Sequence, residues 1–280
     1  MRALRLSAGK AVFLALFTVA LLWTLFPIYW MLVTAVRPSA ELFQRPLQLW
    51  PDTLTFSNFT SLVTGSSPIV RYFTNSVVTS VATAVLTLVV SVPAAFAFSR
   101  LRFRFKGALY VGILLAQMLP LVVLLLPLYI LFLRAELLDT YLGLVLGYCS
   151  FAIPFAVWLL KSFIDSVPRE LEEASLVDGC TRFGAMWRIV VPAILPAMVA
   201  TGAFAFVDAW NNLLFPLALT TSIEMKTLPP GMLLAFAGDF KHDWGGMMAT
   251  NFITAVPVIA VFVVFQRYLV DGLTEGAVKG

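Results

Sequence analysis

The sequence predicts an all-α fold that crosses a membrane several times, and three observations carry the prediction. Hydrophobic residues make up 60% of the 280 and charged residues only 12%, where a soluble domain has about a quarter charged; the mean hydropathy is +0.92. The apolar residues collect into six runs, each near the roughly 20 residues that a helix needs to cross about 30 Å of hydrocarbon. The Lys and Arg residues collect at alternate gaps between those runs, the pattern that orients a polytopic protein.

The elements follow in order over a single transmembrane domain, 1–280. The first run, about 11–36, comes after Arg2, Arg5 and Lys10. It is too long for the apolar part of a signal peptide and lacks a small-residue cleavage site, so it reads as a retained span. A polar stretch, 37–74, rich in Pro, Ser, Thr and Asn, leads to spans at about 75–99, 107–133 and 140–161. A charged loop, about 162–191, precedes the fifth span, about 192–214; a turn-rich segment, about 215–246, holds Leu228-Pro229-Pro230-Gly231 and His242 and precedes the sixth, about 247–269. Pro27, Pro93, Pro120, Pro127, Pro154 and Pro257 fall inside the runs. Membrane helices tolerate such prolines where neighbours re-satisfy the backbone, so kinks are expected, not ends. With 13 of the 19 basic residues on the side of the N-terminus, both termini and the 162–191 loop are expected in the cytoplasm.

Composition and motifs exclude several function classes. The net charge of +4 sits in clusters between apolar runs, not on one basic face, which argues against nucleic acid. Cys149 and Cys180 are expected at different depths and unpaired. His242 is the single histidine, so no metal-ligand spacing exists and no cofactor is expected in this chain. No G-x-x-x-x-G-K-[ST] phosphate loop and no G-x-S-x-G nucleophile turn occurs, so no catalytic residue is assigned.

The 162–191 loop is the unusual part of the chain. Ser166 and Pro168 supply a helix start, Glu170, Glu172 and Glu173 favour its N-terminal dipole, and Gly179 supplies a stop in left-handed backbone. That implies a helix of about 11 residues, some 16 Å long, with Val167, Leu171 and Ala174 as an apolar stripe and the acids beside it. Thr181 can cap a second helix running through Phe183 and Trp187 to Pro192 and on into the membrane. Positions 165–182 hold Asp165, Glu170, Glu172, Glu173 and Asp178 against Arg169 and Arg182, a balance that opposes adhesion to anionic lipid or to phosphates. Three readings compete: an amphipathic loop helix on the bilayer, a DNA-binding helix pair, and a docking helix for a soluble protein. The charge favours the third.

The same loop resembles a known family. Glu173-Ala174-Ser175, then Gly179 and then Ile189-Val190-Val191-Pro192 follow the residue types and spacing of the EAA loop of ABC importer permeases, E-A-A, three residues, G, nine residues, I-x-L-P, with Ser175 for the second Ala and Val191 for Leu. Trp210-Asn211-Asn212-Leu213-Leu214-Phe215-Pro216, Trp244-Gly245-Gly246-Met247-Met248-Ala249 and the tail Gly272-Leu273-Thr274-Glu275-Gly276-Ala277-Val278-Lys279-Gly280 resemble its carbohydrate-importer branch, the second permease subunit of maltose-type systems. The resemblance implies a six-helix permease half in a bacterial or archaeal cytoplasmic membrane. It implies a second homologous permease subunit, two cytoplasmic ATPases that hold ATP and Mg, and an external solute-binding protein. The cargo it implies is a sugar or sugar-like solute of disaccharide, oligosaccharide or glycerol phosphate type, with another small polar solute as the alternative. Glu173, Ala174, Ser175, Asp178, Gly179 and Phe183 are then the ATPase-coupling residues.

Asp208, Asn211 and Asn212 stand at i, i+3 and i+4 on the fifth span, roughly 24 Å beyond Pro192. A carboxylate at the centre of a membrane helix costs about 2.5–3.5 kcal/mol, so such residues face a cavity or a partner, and a translocation path is the functional reading. The structural reading, polar residues that end the helix or bond a neighbour, stands beside it. Gln117 and Asn251 are weaker candidates of the same kind. A secondary transporter would need coupling-ion carboxylates in broken midplane helices, for which Asp208 alone is available.

Overall fold

Long runs of Leu, Val, Ala and Phe leave the backbone no partner in lipid except itself, and the chain is helical throughout its apolar runs. The structure is a computed structural model that describes residues 2–43, 49–64, 68–236 and 243–277, with side chains for 9–43, 49–64, 68–236 and 243–268. The helices are α1 (Arg2–Ala35), α2 (Ser57–Thr64), α3 (Ile69–Arg100), α4 (Lys106–Met118), α5 (Leu121–Arg134), α6 (Tyr141–Ser166), α7 (Arg169–Val177), α8 (Arg182–Ala185), α9 (Val191–Ala193), α10 (Leu195–Asn211), α11 (Leu214–Leu219), α12 (Leu228–Phe236) and α13 (Trp244–Ala277). Four of them contain stretches long and apolar enough to cross a membrane: Gly9–Ala35, Ile69–Arg100, Tyr141–Ser166 and Trp244–Tyr268. Two further spans arise if the bent pairs Lys106–Met118 with Leu121–Arg134, and Arg182–Ala193 with Leu195–Asn211, each count as one.

The bends correct two expectations. Pro120 is a break and not a kink: α4 ends at Met118, Leu119 is extended at ψ 129°, and α5 leaves at 106°. The cause is steric, since the ring of Pro120 disfavours helical backbone in the residue before it. Pro27, Pro93, Pro127, Pro154 and Pro257 do lie inside continuous helices. The helix after the charged loop does not run unbroken into the membrane either. After α8 it widens into a π turn, Met186–Val190, in which the Val191 N–H donates to the Met186 carbonyl, and it bends by 79° around Ile194. The stretch 37–74 is also more structured than a loop, since it contains α2 and the first turns of α3. His242, Arg45 and Lys279 lie outside the described residues.

The chain divides into two units. In the first, residues 1–70 with 232–256, α2 is seated by Asn58, whose Nδ2 donates to the carbonyls of Ala35 (2.8 Å) and Arg37 (3.1 Å). Phe59 meets Phe252 edge to face at 6.3 Å. In the second, residues 71–231 with 257–280, α3, α6 and α10 form the core. One end packs Val92, Ala95 and Phe96 against Leu160, Ile164, Met186, Val190 and Ala197. The other packs Phe132, Leu144 and Tyr148 against Ala209, Phe215 and Leu219. Close approach needs small residues there: a Cβ on Gly202 would lie 3.0 Å from Leu88, and one on Gly147 3.1 Å from Leu219.

A polar hairpin closes the second unit at the Tyr141 end of α6. Asp139, in left-handed backbone at φ 60°, accepts from the Thr221 and Ser222 amides at 3.0 and 3.1 Å. Burial pushes its carboxyl up, but the hydrogen bonds from Ser222 and Thr221 and the charge of Lys226 outweigh burial and hold it below its ordinary value of 3.8. Lys226 donates to the Thr220 carbonyl. Asn75 of α3 donates to the carbonyls of Glu224 and Lys226, both at 2.8 Å, and accepts from the Tyr141 hydroxyl.

Candidate coupling loop and polar groove

Pro168, at φ −57° and ψ 132°, turns the chain out of α6 and into α7, with Glu170 and Glu172 in the first turn. Ser166 takes no part in this start; it ends α6, and its hydroxyl returns to the Phe163 carbonyl. The helix is nine residues long, about 14 Å. Its end is a Schellman motif: the Cys180 amide reaches the Ser175 carbonyl (3.0 Å), the Gly179 amide reaches Leu176 (3.1 Å), and Gly179 has φ +88°. The positive φ expected of Gly179 is therefore present. Thr181 then accepts from the Gly184 amide at 3.1 Å and caps α8.

The faces of α7 differ from the stripe read in the sequence. Val167 is buried but precedes the helix, while Leu171 is 51% and Val177 87% exposed, and Ala174 is exposed too. The buried positions are Glu172 and Ser175. Their register, three apart, gives the inward side, so the apolar residues one position earlier or two later turn outward. Of the six coupling candidates, Glu173, Ala174, Asp178, Gly179 and Phe183 are exposed and share the outer side of the loop. Ser175 faces inward, its hydroxyl on the Glu172 carbonyl at 2.7 Å. Phe183, 64% exposed, meets Trp187 edge to face at 6.1 Å.

Sequence reading missed Arg100. It is the last residue of α3, and its Nε donates to Glu172 Oε1 at 2.5 Å while its Nη2 donates to the Val167 carbonyl at 2.6 Å. Nothing in local spacing points to this pair, which lies 72 positions apart. Glu172 is thereby withdrawn from the acidic rim.

Asp208, Asn211 and Asn212 line one groove of about 380 Å³ with Leu121, Phe204, Val207, Leu213 and Leu214. Asn212 ends α10 and its Oδ1 accepts from the Phe215 amide at 3.1 Å, which starts α11. Asn211 donates to the Val207 carbonyl at 3.0 Å. Asp208 makes no hydrogen bond or ion pair among the described residues, and with Asn211 it is exposed to the groove. Gln117 is spent on the Phe151 carbonyl at 2.8 Å, and Asn251 is half-buried. The groove offers a carboxylate and two amides, which can hydrogen-bond hydroxyl groups. Among the described residues no cluster of His, Cys, Asp and Glu could hold a metal.

Comparison with known proteins adds the following. Residues 87–275 match the family described as binding-protein-dependent transport system inner membrane component. The chain is 36% identical over 255 residues to the diacetylchitobiose uptake system permease protein DasC of Streptomyces coelicolor, covering 91% of this chain and 92% of that protein. It is 34% identical over 273 residues to the sulfoquinovosyl glycerol transport system permease protein SmoH of Agrobacterium fabrum, covering 98% and 95%. Its fold is similar to a chain in the crystal structure of a bacterial ABC transporter involved in the import of the acidic polysaccharide alginate, at TM-score 0.80 and 21% identity, over 94% of this chain and 96% of that one.

Proposed function

We propose, since the chain belongs to the family of binding-protein-dependent transport system inner membrane components, that it carries an oligosaccharide or a sugar-like glycoside and that α7 is where ATP hydrolysis acts on it. The chain is an all-helical, multi-pass inner-membrane permease subunit of an ABC importer. It is not itself an ATPase; ATP is bound by partner subunits, and an external binding protein delivers solute. The sugar reading is supported by relatives whose names specify diacetylchitobiose and sulfoquinovosyl glycerol uptake and by the hydroxyl-matching groups of the groove. In this reading both bent pairs are spans, the count is six, both termini are cytoplasmic, and a second homologous permease subunit completes the path. Two ATPases then serve the pair of permeases.

The observation that carries the docking role is the outer side of α7: Leu171 and Val177 exposed beside Glu170 and Glu173, on a short helix closed at both ends by its own caps. Such a surface offers an apolar anchor with an acidic rim to a soluble protein. Closure of two ATPases would move it as a rigid lever, and the membrane helices would rock between inward-open and outward-open states. The test is reconstitution with the partner permease, ATPase and binding protein, followed by ATP-driven uptake of a labelled sugar panel. Uptake of an oligosaccharide or glycoside is expected, with Leu171→Glu abolishing ATPase capture. Transport confined to amino acids or ions would overturn the sugar reading, and capture by Leu171→Glu the docking role.

A further inference from the structure

We propose that Arg100 is a positioning residue for transport: it ties the membrane helix α3 to the coupling helix α7 as a strut that stays closed through the cycle. The inference rests on the reading of α7 as the docking helix and adds the route by which its motion reaches the membrane. Three elements meet at one guanidinium. Arg100 ends α3, its Nε holds Glu172 of α7 at 2.5 Å, and its Nη2 holds the carbonyl of Val167, in the link between α6 and α7, at 2.6 Å. The two side chains are only 7% and 11% exposed.

Removing this carboxylate and this guanidinium from water is expensive, and apolar residues of similar volume would serve stability as well. What the pair supplies instead is direction. Apolar side chains at a helix contact can slide past each other in a shear motion. A buried ion pair cannot slide without leaving two charges unpaired in a dry site. The rest of α7's attachment is slight, since its inward side presents only Glu172 and Ser175.

The anchor itself is braced. Ser99 donates to Asp165 at 2.5 Å, Asp165 is paired with Lys161 at 2.6 Å, and Lys106 donates to the carbonyls of Ser99 (3.4 Å) and Leu101 (2.9 Å). These bonds fix the backbone on both sides of Arg100 to α6 and to the start of α4. Displacing α7 therefore pulls the end of α3 with it. The opposite half of α3 holds Asn75, on which the polar hairpin is fastened.

The test uses the assembled transporter in proteoliposomes, with its partner permease, ATPase and binding protein, and reads ATPase capture and solute imported per ATP hydrolysed. Arg100→Gln and Glu172→Gln should each keep capture and lose about tenfold in transport per ATP. The exchanged pair, Arg100→Glu with Glu172→Arg, should recover roughly half or more of it, as interacting positions do in a double-mutant cycle. Unchanged transport per ATP in both single variants overturns the strut, and so does failure of the exchange to recover it while capture persists. Loss of capture in the single variants assigns the pair to holding α7 folded and equally overturns a role in transmission. Leu171→Glu reports on the docking reading alone: if it still captures the ATPase, that reading fails whatever Arg100 does.

Discussion

At Gly179 no atom lies within 4 Å of where a Cβ would sit, and φ is +88°. A side chain there meets backbone strain without collision. Gly179→Val should therefore destabilise the loop by about 1–2 kcal/mol, and Gly179→Asn by clearly less, because Asn tolerates left-handed backbone. Thermal unfolding in detergent, scored beside ATPase capture, measures both. Asp139 is a second residue in left-handed backbone, and here the side chain acts. Its folded-state pKa is depressed below 3.8, so its contribution is fully present above that value and is lost as pH falls through the lower, folded one. Asp139→Ala should cost about 2–3 kcal/mol near neutral pH, from two charge-assisted bonds and the backbone conformation. The difference between wild type and Asp139→Ala should then shrink in acid below about pH 3.5, and an unchanged difference would refute the carboxylate account.

Among the elements, α7 was the most legible. Its start at Pro168, acidic first turn and stop at Gly179 are local chemistry, and all three stand where the sequence put them. Its face was misread because Val167 was counted into the helical stripe, and because a glutamate was assumed to face water. Glu172 is inward only because Arg100 arrives from α3, and a partner 72 residues away leaves no mark on local periodicity. The break before Pro120 has a local cause, yet Pro127 and Pro154 carry the same ring inside unbroken helices. Packing decides between the two outcomes, so the residue type alone could not. The cap on α8 is local again. Thr181→Val removes the acceptor for the Gly184 amide and should destabilise the loop by about 1 kcal/mol, while Thr181→Ser should be near neutral.

For the molecule as a whole, composition sufficed to identify the solvent, and the spacing of Glu173, Gly179 and Pro192 pointed to the family. The groove around Asp208 was legible as a polar cluster, but Asn212's use as a cap for α11 was not, because it depends on where α10 stops. Asp208→Ala should lower solute uptake by one to two decades, equivalent to about 1–3 kcal/mol, while ATPase capture persists. Unchanged uptake would leave the residue as a helix-end polar group. The proposed six-span arrangement puts Ser222 outside and Ser162 inside. With Cys149 and Cys180 replaced, a cysteine at Ser222 should react with a membrane-impermeant maleimide in intact cells and one at Ser162 only after lysis.

The π turn at Met186–Val190 sets the molecule's angular frame. Five residues occupy the arc between Met186 and the amide of Val191 that closes on it, one more than an α-helix would use. Deleting a single residue there and letting the turn revert to α geometry would wind everything downstream by about 100°. Asp208 and Asn211 would then swing away from their groove, although the hydropathy of the chain would hardly change. A one-codon deletion in this segment should thus yield a protein that inserts, captures its ATPase and transports nothing. The same deletion in the apolar middle of α1, which has no such partner-facing register in its own unit, should be milder.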